Sequence, residues 1–160
     1  MRLHHVSQET GAIVPPIDPV SATLGISSAG PLHLMAAVSG GLPLAALDHL
    51  TRAIAPTDSR FAFRIVPRPT LARRRKTESI APDRAEARLS AEEGARLARV
   101  AAVWALALDV WKSEAEARRF MFDAHPLLGA RAPIDVVLQS ELGRPIVEDL
   151  LGRLRYGSAV

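Results

Sequence analysis

The chain has 160 residues, 48 % apolar and 23 % charged, with a formal net charge of +3, which suits one ordinary globular domain and argues against a disordered chain. It contains no cysteine, so disulfides, thiolate zinc sites and cysteine nucleophiles are excluded, and a reducing cytoplasm is the expected location. The charge is uneven: residues 52–76 hold eight Arg/Lys against Asp58 alone, while the segments on either side are mildly acidic, so one short stretch carries the positive field.

Residues 1–41 contain Pro15, Pro16, Pro19, Gly25, Gly30, Gly40 and Gly41 among small apolar residues. That composition predicts a loose N-terminal arm, with a short helix over Pro31 to Val38. A secretory signal is not expected, because only Arg2 is basic at the start and the prolines interrupt any apolar region. No uncharged apolar run reaches the roughly 20 residues a membrane span needs, so no membrane association is expected. His4 and His5 are adjacent and cannot share one helix face, and His33, His49 and His125 stand alone, so no metal site is expected.

From Pro43 to Ile54 the sequence predicts a helix with Leu44, Leu47, Leu50 and Ile54 on one face. A second segment follows from Ser59 to Val66, then a turn at Pro67, then a basic helix over Thr70 to Lys76. Helix, helix, turn, basic helix is the outline of a helix-turn-helix unit over residues 42–77, with its last helix suited to a DNA major groove. Arg68, Thr70, Arg73, Arg74, Arg75 and Lys76 are the candidate DNA-binding residues, and Arg60 and Arg64 extend the patch. A solvated basic face is the plain alternative. Residues 78–88, with Pro82, read as a linker.

Ser90-Ala91-Glu92-Glu93 is a capping box that opens the best-defined helix in the chain, running to about Trp111 with Leu97, Val100, Trp104, Leu108 and Trp111 in one stripe. An apolar helix of this kind is the expected central element. Two tryptophans at helical spacing belong to a core more often than to a ligand pocket. Ser113-Glu114-Ala115-Glu116 repeats the box and starts a helix to about Asp123, with Arg118 and Arg119 expected toward solvent. A short helix opened by Pro133 follows, then a final helix in which Gly143 breaks the preceding segment and Pro145 sits in the first turn. There Ile146, Val147, Leu150, Leu151 and Leu154 form the apolar face, with Gly157 as the stop. The whole chain therefore reads as all-α, with the helix-turn-helix-like part packed on a C-terminal helical domain over residues 89–160.

The last third, from His125 to Gly157, resembles the toxin-binding domain of Xre/MbcA/ParS-type antitoxins. The resemblance rests on His125, Pro126, Leu128, Gly129, Pro133, Ile134 and Asp135, then on Gly143, Arg144, Val147, Asp149, Leu150, Leu151, Arg153, Leu154 and Gly157. Ile65 to Arg74 is similar to the I-P-R-R-T-L-x-R-R stretch of the same family, with Pro69 in place of an arginine, and the two serine-capped helices also follow its pattern.

The resemblance implies the antitoxin of a type II toxin-antitoxin pair whose partner is a cognate RES-domain toxin that degrades NAD or transfers ADP-ribose from it. It implies neutralisation by covering the toxin's active site, and repression of its own operon through operator DNA. The toxin-binding residues would be Leu128, Gly129, Arg131, Pro133, Asp135, Arg144, Arg153, Arg155, Tyr156 and Gly157. A homodimer or a higher hetero-oligomer with toxin is expected, joined through the Pro43 to Ile54 face or the Trp104 helix. No catalytic motif is present: G-x-S-x-G, H-E-x-x-H and a phosphate-cradling glycine loop are all missing, so neither catalysis nor a cofactor is expected. The alternative reading is a helix-turn-helix transcription regulator whose C-terminal half only dimerises; a helical adaptor that binds protein alone stands behind it.

Overall fold

The computed structural model describes residues 17–28, 30–81 and 87–157, so the readings on His4, His5 and Pro82 lie outside the described residues. Eight α-helices appear, with no strand among the described residues. They are α1 (Pro19–Thr23), α2 (Pro31–Gly40), α3 (Leu44–Ile54), α4 (Arg68–Ile80), α5 (Ala91–Trp111), α6 (Glu114–Phe122), α7 (Pro133–Gln139) and α8 (Gly143–Tyr156). Two 3-10 turns, Phe61–Arg64 and Pro126–Leu128, interrupt the connections. The all-α expectation holds.

Helix α5 is the centre, touched by α1, α2, α3, α6, α7 and α8. Its start is fixed by the predicted capping box: Ser90 Oγ accepts from the Glu93 N–H at 3.1 Å, and the Glu93 carboxylate accepts from the Ser90 N–H at 2.8 Å. It ends at Lys112, which takes the left-handed conformation at φ 53°. Leu97, Val100, Val103 and Trp104 are buried, while Trp111 is 38 % exposed, so the stripe leaves the core over its last turn. At Ser113 only half of the second box forms, with Ser113 Oγ accepting from the Glu116 N–H at 3.4 Å.

Helix α2 covers the short helix expected over Pro31 to Val38, but α1 and the packing of both helices depart from the loose arm that the composition of residues 17–41 predicts. Asp18 caps α1, its carboxylate accepting from the Val20 and Ser21 N–H groups at 3.1 and 3.0 Å, and Ser21 and Leu24 are buried. Both α1 and α2 pack on α5. Helices this short gain their stability from tertiary packing, which Pro and Gly content does not report. The segment read as a linker, residues 78–88, is also pinned at its ends. Glu78 to Ile80 complete α4, and at the other end Leu89 N–H donates to the Leu42 carbonyl at 2.7 Å and Leu44 N–H to the Ala87 carbonyl at 3.1 Å.

Between α3 and α4 a 3-10 turn stands where a second helix was expected. Pro56 and Pro67 bracket the segment, and Phe61, Ala62, Ile65 and Val66 are all buried, so anchoring side chains rather than helical hydrogen bonds set its path. Arg96 on α5 donates to the Ile65 carbonyl at 2.9 Å. Arg118, expected in solvent, instead donates through Nε and a terminal nitrogen to the Ala53 carbonyl at 3.0 and 2.8 Å, and lies 5.8 Å over the Trp104 ring. It thereby satisfies a carbonyl left open at the end of α3.

The two faces expected to join copies of the chain are used internally. Leu44, Leu47, Leu50, Ile54 and Trp104 are all buried within the chain, so these side chains are not available to join two copies.

Candidate functional site

The loop between α6 and α7 is closed on itself. His125 N–H donates to the Arg131 carbonyl at 3.0 Å and Ala130 N–H to the His125 carbonyl at 3.1 Å, while His125 Nδ1 accepts from the Leu127 N–H at 3.3 Å. Gly129 and Ala130 make the reversal in the left-handed region, at φ 64° and 59°. For Gly129 this is free of steric penalty; for Ala130 it costs about 1–2 kcal/mol. The reversal leaves Leu127 at the tip, 70 % exposed.

Helix α8 lies beside this loop. Val147, Leu150 and Leu151 are buried and Leu154 is partly buried, but Ile146 is 51 % exposed. The reason is angular: at roughly 100° per residue, Ile146 falls about 90° from the centre of the arc formed by the other four. Ile146, Leu127, Leu128, Asp149, Leu150 and Arg153 line a groove of about 160 Å³. Of the sequence-predicted toxin-binding residues, Leu128 and Arg153 are brought together here. Leu127 and Ile146, which line the groove too, are not among them, the first because nothing in a Pro-Leu-Leu-Gly loop says which leucine turns outward, the second because the sequence places it on the core face.

The remaining predicted residues do not line this groove, and the charged side chains, Arg153 included, are engaged within the chain. Arg144 pairs with Glu148 at 2.6 Å, and Arg153 with Asp149 at 2.9 Å, both one turn along α8. Arg131 donates to the Gln139 side chain, and Pro133 is buried at the start of α7. Asp135 is paired with Arg64, which ties the 3-10 turn before α4 to α7. Arg155 reaches Asp109 on α5 at 2.7 Å. Hydrogen bonding from Lys112, then the charges of Arg155 and Lys112, hold the Asp109 carboxyl below its usual range. Tyr156 is 77 % exposed and Gly157 ends α8 at φ 67°, so the helix finishes with its aromatic side chain in solvent. Residues 158–160 lie outside the described residues.

Helix α4 carries all six candidate DNA-binding residues on a helix that buries only Leu71. They are not equivalent. Arg74 is 2.5 Å from the Glu93 carboxylate and mostly covered, Arg75 is 2.6 Å from Asp48, and Arg68 lies 5.7 Å over the Phe63 ring. Arg73 and Lys76 are exposed and have no ion pair among the described residues. A phosphate contact by Arg74 would compete with its own fold.

Burial works to raise the Glu93 carboxyl, but hydrogen bonds from the Arg74 guanidinium and the Ser90 N–H outweigh it and hold the group below its usual value of 4.5. A depressed carboxylate contributes stability above its unfolded value and loses it as pH falls through the folded one. Thermal melts of the chain and of Glu93→Gln should therefore differ most above the unfolded value and converge as pH falls through the lower folded one. A gap that stays constant over that range would contradict this pairing.

Among the described residues no helix is long and apolar enough to cross a membrane. No group of three or more His, Asp or Glu that could hold a metal occurs among them either. Residues 106–157, which run from the last turns of α5 through α8, match the family model described as the antitoxin Xre/MbcA/ParS C-terminal toxin-binding domain. No curated protein matches the chain.

Proposed function

We propose, on the premise that residues 106–157 are a toxin-binding domain of the antitoxin Xre/MbcA/ParS type, that this chain is the antitoxin of a type II pair and binds its toxin through the groove between the Leu127 loop and α8. The observation that carries this reading is the coincidence of that domain with two outward apolar side chains, Leu127 and Ile146, flanking a groove with Asp149 and Arg153 on its rim. An apolar centre with a charged rim suits a protein partner. The toxin is a RES-domain enzyme that consumes NAD or transfers ADP-ribose, and the groove, with Tyr156 and Gly157 beyond it, covers the toxin's active site. The chain acts in the cytoplasm and has no catalytic role of its own.

The test is growth. A RES-domain protein encoded beside this chain's gene should arrest cells when expressed alone, and co-expression of the chain should restore them. Arrest that persists while the two proteins are both made and folded would overturn the reading.

Operon repression through α4 is the second part of the proposal, supported by the exposed positive charge of Arg73 and Lys76. If each contacts a phosphate, operator affinity should fall with salt at a log-log slope of about 0.9 per contact, and Arg73→Ala should remove about one such unit. Arg74→Ala should instead lower the melting temperature, because it leaves Glu93 without its partner. Fluorescence anisotropy across a salt series, alongside melts of both variants, checks this; equal slopes for the chain and Arg73→Ala would exclude that contact.

The transcription-regulator alternative has one observation in its favour: the same Leu127 and Ile146 patch could join two copies of the chain. Sedimentation separates the readings, because a patch reserved for toxin leaves its variants in the same oligomeric state as the parent chain.

A further inference from the structure

A second hollow, of about 210 Å³, is built wholly from residues of the matched domain. It lies where α6 ends, with Trp111 of α5 and Phe120 of α6 on its aromatic side and Glu116, Arg119 and Asp123 as its charged groups. His125, which opens the Leu127 loop, and Leu154, which follows Arg153, complete it, so the hollow continues the surface proposed for the toxin. It falls below the volume of about 300 Å³ at which small-molecule sites begin, which suits one side chain rather than a whole ligand.

Three features of this hollow favour a cation. The Trp111 ring is partly open, 6.3 Å from the Phe120 ring, and no cation of the chain covers it among the described residues. The carbonyls of Phe120, Met121 and Phe122 accept no hydrogen bond among the described residues, so the negative end of α6 is left uncompensated. Arg119 pairs with Glu116 at 3.4 Å, whereas Asp123 is exposed and has no ion pair among the described residues, which leaves the hollow with one net negative charge. Lys112 and Arg155, the sequence neighbours of Trp111 and Leu154, are both held by Asp109. The chain fills one such arrangement itself: Arg118 donates to the open Ala53 carbonyl at the end of α3 while lying over the ring of Trp104 on the same α5. We infer that the hollow at Trp111 receives an arginine side chain of the toxin, its guanidinium over the Trp111 ring and donating to Asp123 and to the carbonyls that end α6. A planar guanidinium can stack and donate in its own plane at once, which a lysine ammonium cannot. The inference rests on the toxin reading above and adds the residue type that the partner must present.

The experiment titrates the full chain with the purified RES-domain protein by calorimetry, with a melt of each variant to confirm that it folds. Asp123→Asn, at an exposed side chain outside the core, should weaken binding about ten- to hundredfold and flatten its salt dependence. Trp111→Leu should weaken it about three- to thirtyfold, while Trp111→Phe, which keeps a ring, should lose less. Replacing the arginines of the RES-domain protein by methionine one at a time should find one whose loss costs the parent chain more than it costs Asp123→Asn. A parent chain that does not bind would overturn the toxin reading and this inference with it. Where the parent chain binds, undiminished affinity in Asp123→Asn or in Trp111→Leu, or the absence of any arginine coupled to Asp123, would overturn this inference alone.

Discussion

Replacing Gly143 by alanine is expected to cost about 3 kcal/mol, the upper end for forced overpacking, and so to lower the melting temperature by roughly 6–12 °C for a domain of this size. The cause is a contact between two backbones. A Cβ built on Gly143 would stand 1.9 Å from the Val136 carbonyl oxygen and 2.6 Å from its carbon, so α7 and α8 could accommodate it only by moving apart. That movement would uncover Val136, Val137 and Val147, which are buried at this crossing. Gly152, on the same helix, meets nothing within 4 Å. Gly152→Ala should therefore stabilise the chain by up to about 1 kcal/mol through helix propensity alone. Opposite signs at the two glycines, read in one set of melts, would establish that Gly143 is a packing residue; equal effects would contradict the close crossing.

The second large effect is expected at the groove. Leu127→Asp and Ile146→Asp should each weaken toxin binding by at least about thirtyfold, the equivalent of a 2 kcal/mol interface hot spot. Both side chains are largely in solvent, so melting temperatures should change little. Leu151→Asp would look similar in a pull-down for a different reason, because Leu151 is fully buried and a charge there unfolds α8. Isothermal titration paired with a melt for each variant distinguishes lost contact from lost fold. Undiminished affinity in both surface variants would move the toxin-binding surface elsewhere, to the end of α8 at Tyr156 or to the exposed side of α7.

Much of this architecture is legible in the sequence wherever a local signal and a tertiary demand agree. The Ser90 capping box, the apolar α5, Pro133 in the first turn of α7 and Gly157 at the end of α8 each announce themselves through residue chemistry that needs no distant partner. The misses share a cause. Helix α1 has the composition of loop, and α2, read from the sequence as a short helix over Pro31 to Val38, packs on α5 where a loose arm is expected. Gly143 looks like a helix breaker, yet it is the first residue of α8, required by an approaching carbonyl from another helix. Arg118 has the spacing of a solvent residue and is drawn inward by an open carbonyl at Ala53. Arg74 belongs to a basic run, and only the fold shows that Glu93 takes it away from solvent. At the groove, periodicity identified α8 as amphipathic but placed Ile146 on the wrong side of the boundary, because one residue at the edge of an apolar arc is decided by what packs beside it.

The surface formed from the Leu127 loop and α8 is the one proposed to hold the toxin. Amide hydrogen exchange of the full chain, followed by mass spectrometry with and without the purified RES-domain protein proposed as its toxin, tests this placement. New protection should be concentrated in residues 125–157, strongest at the Leu127 loop and the first turns of α8, with α4 unchanged. Protection confined to α1 and α2 or to α4, with the loop and α8 exchanging as in the free chain, would contradict it.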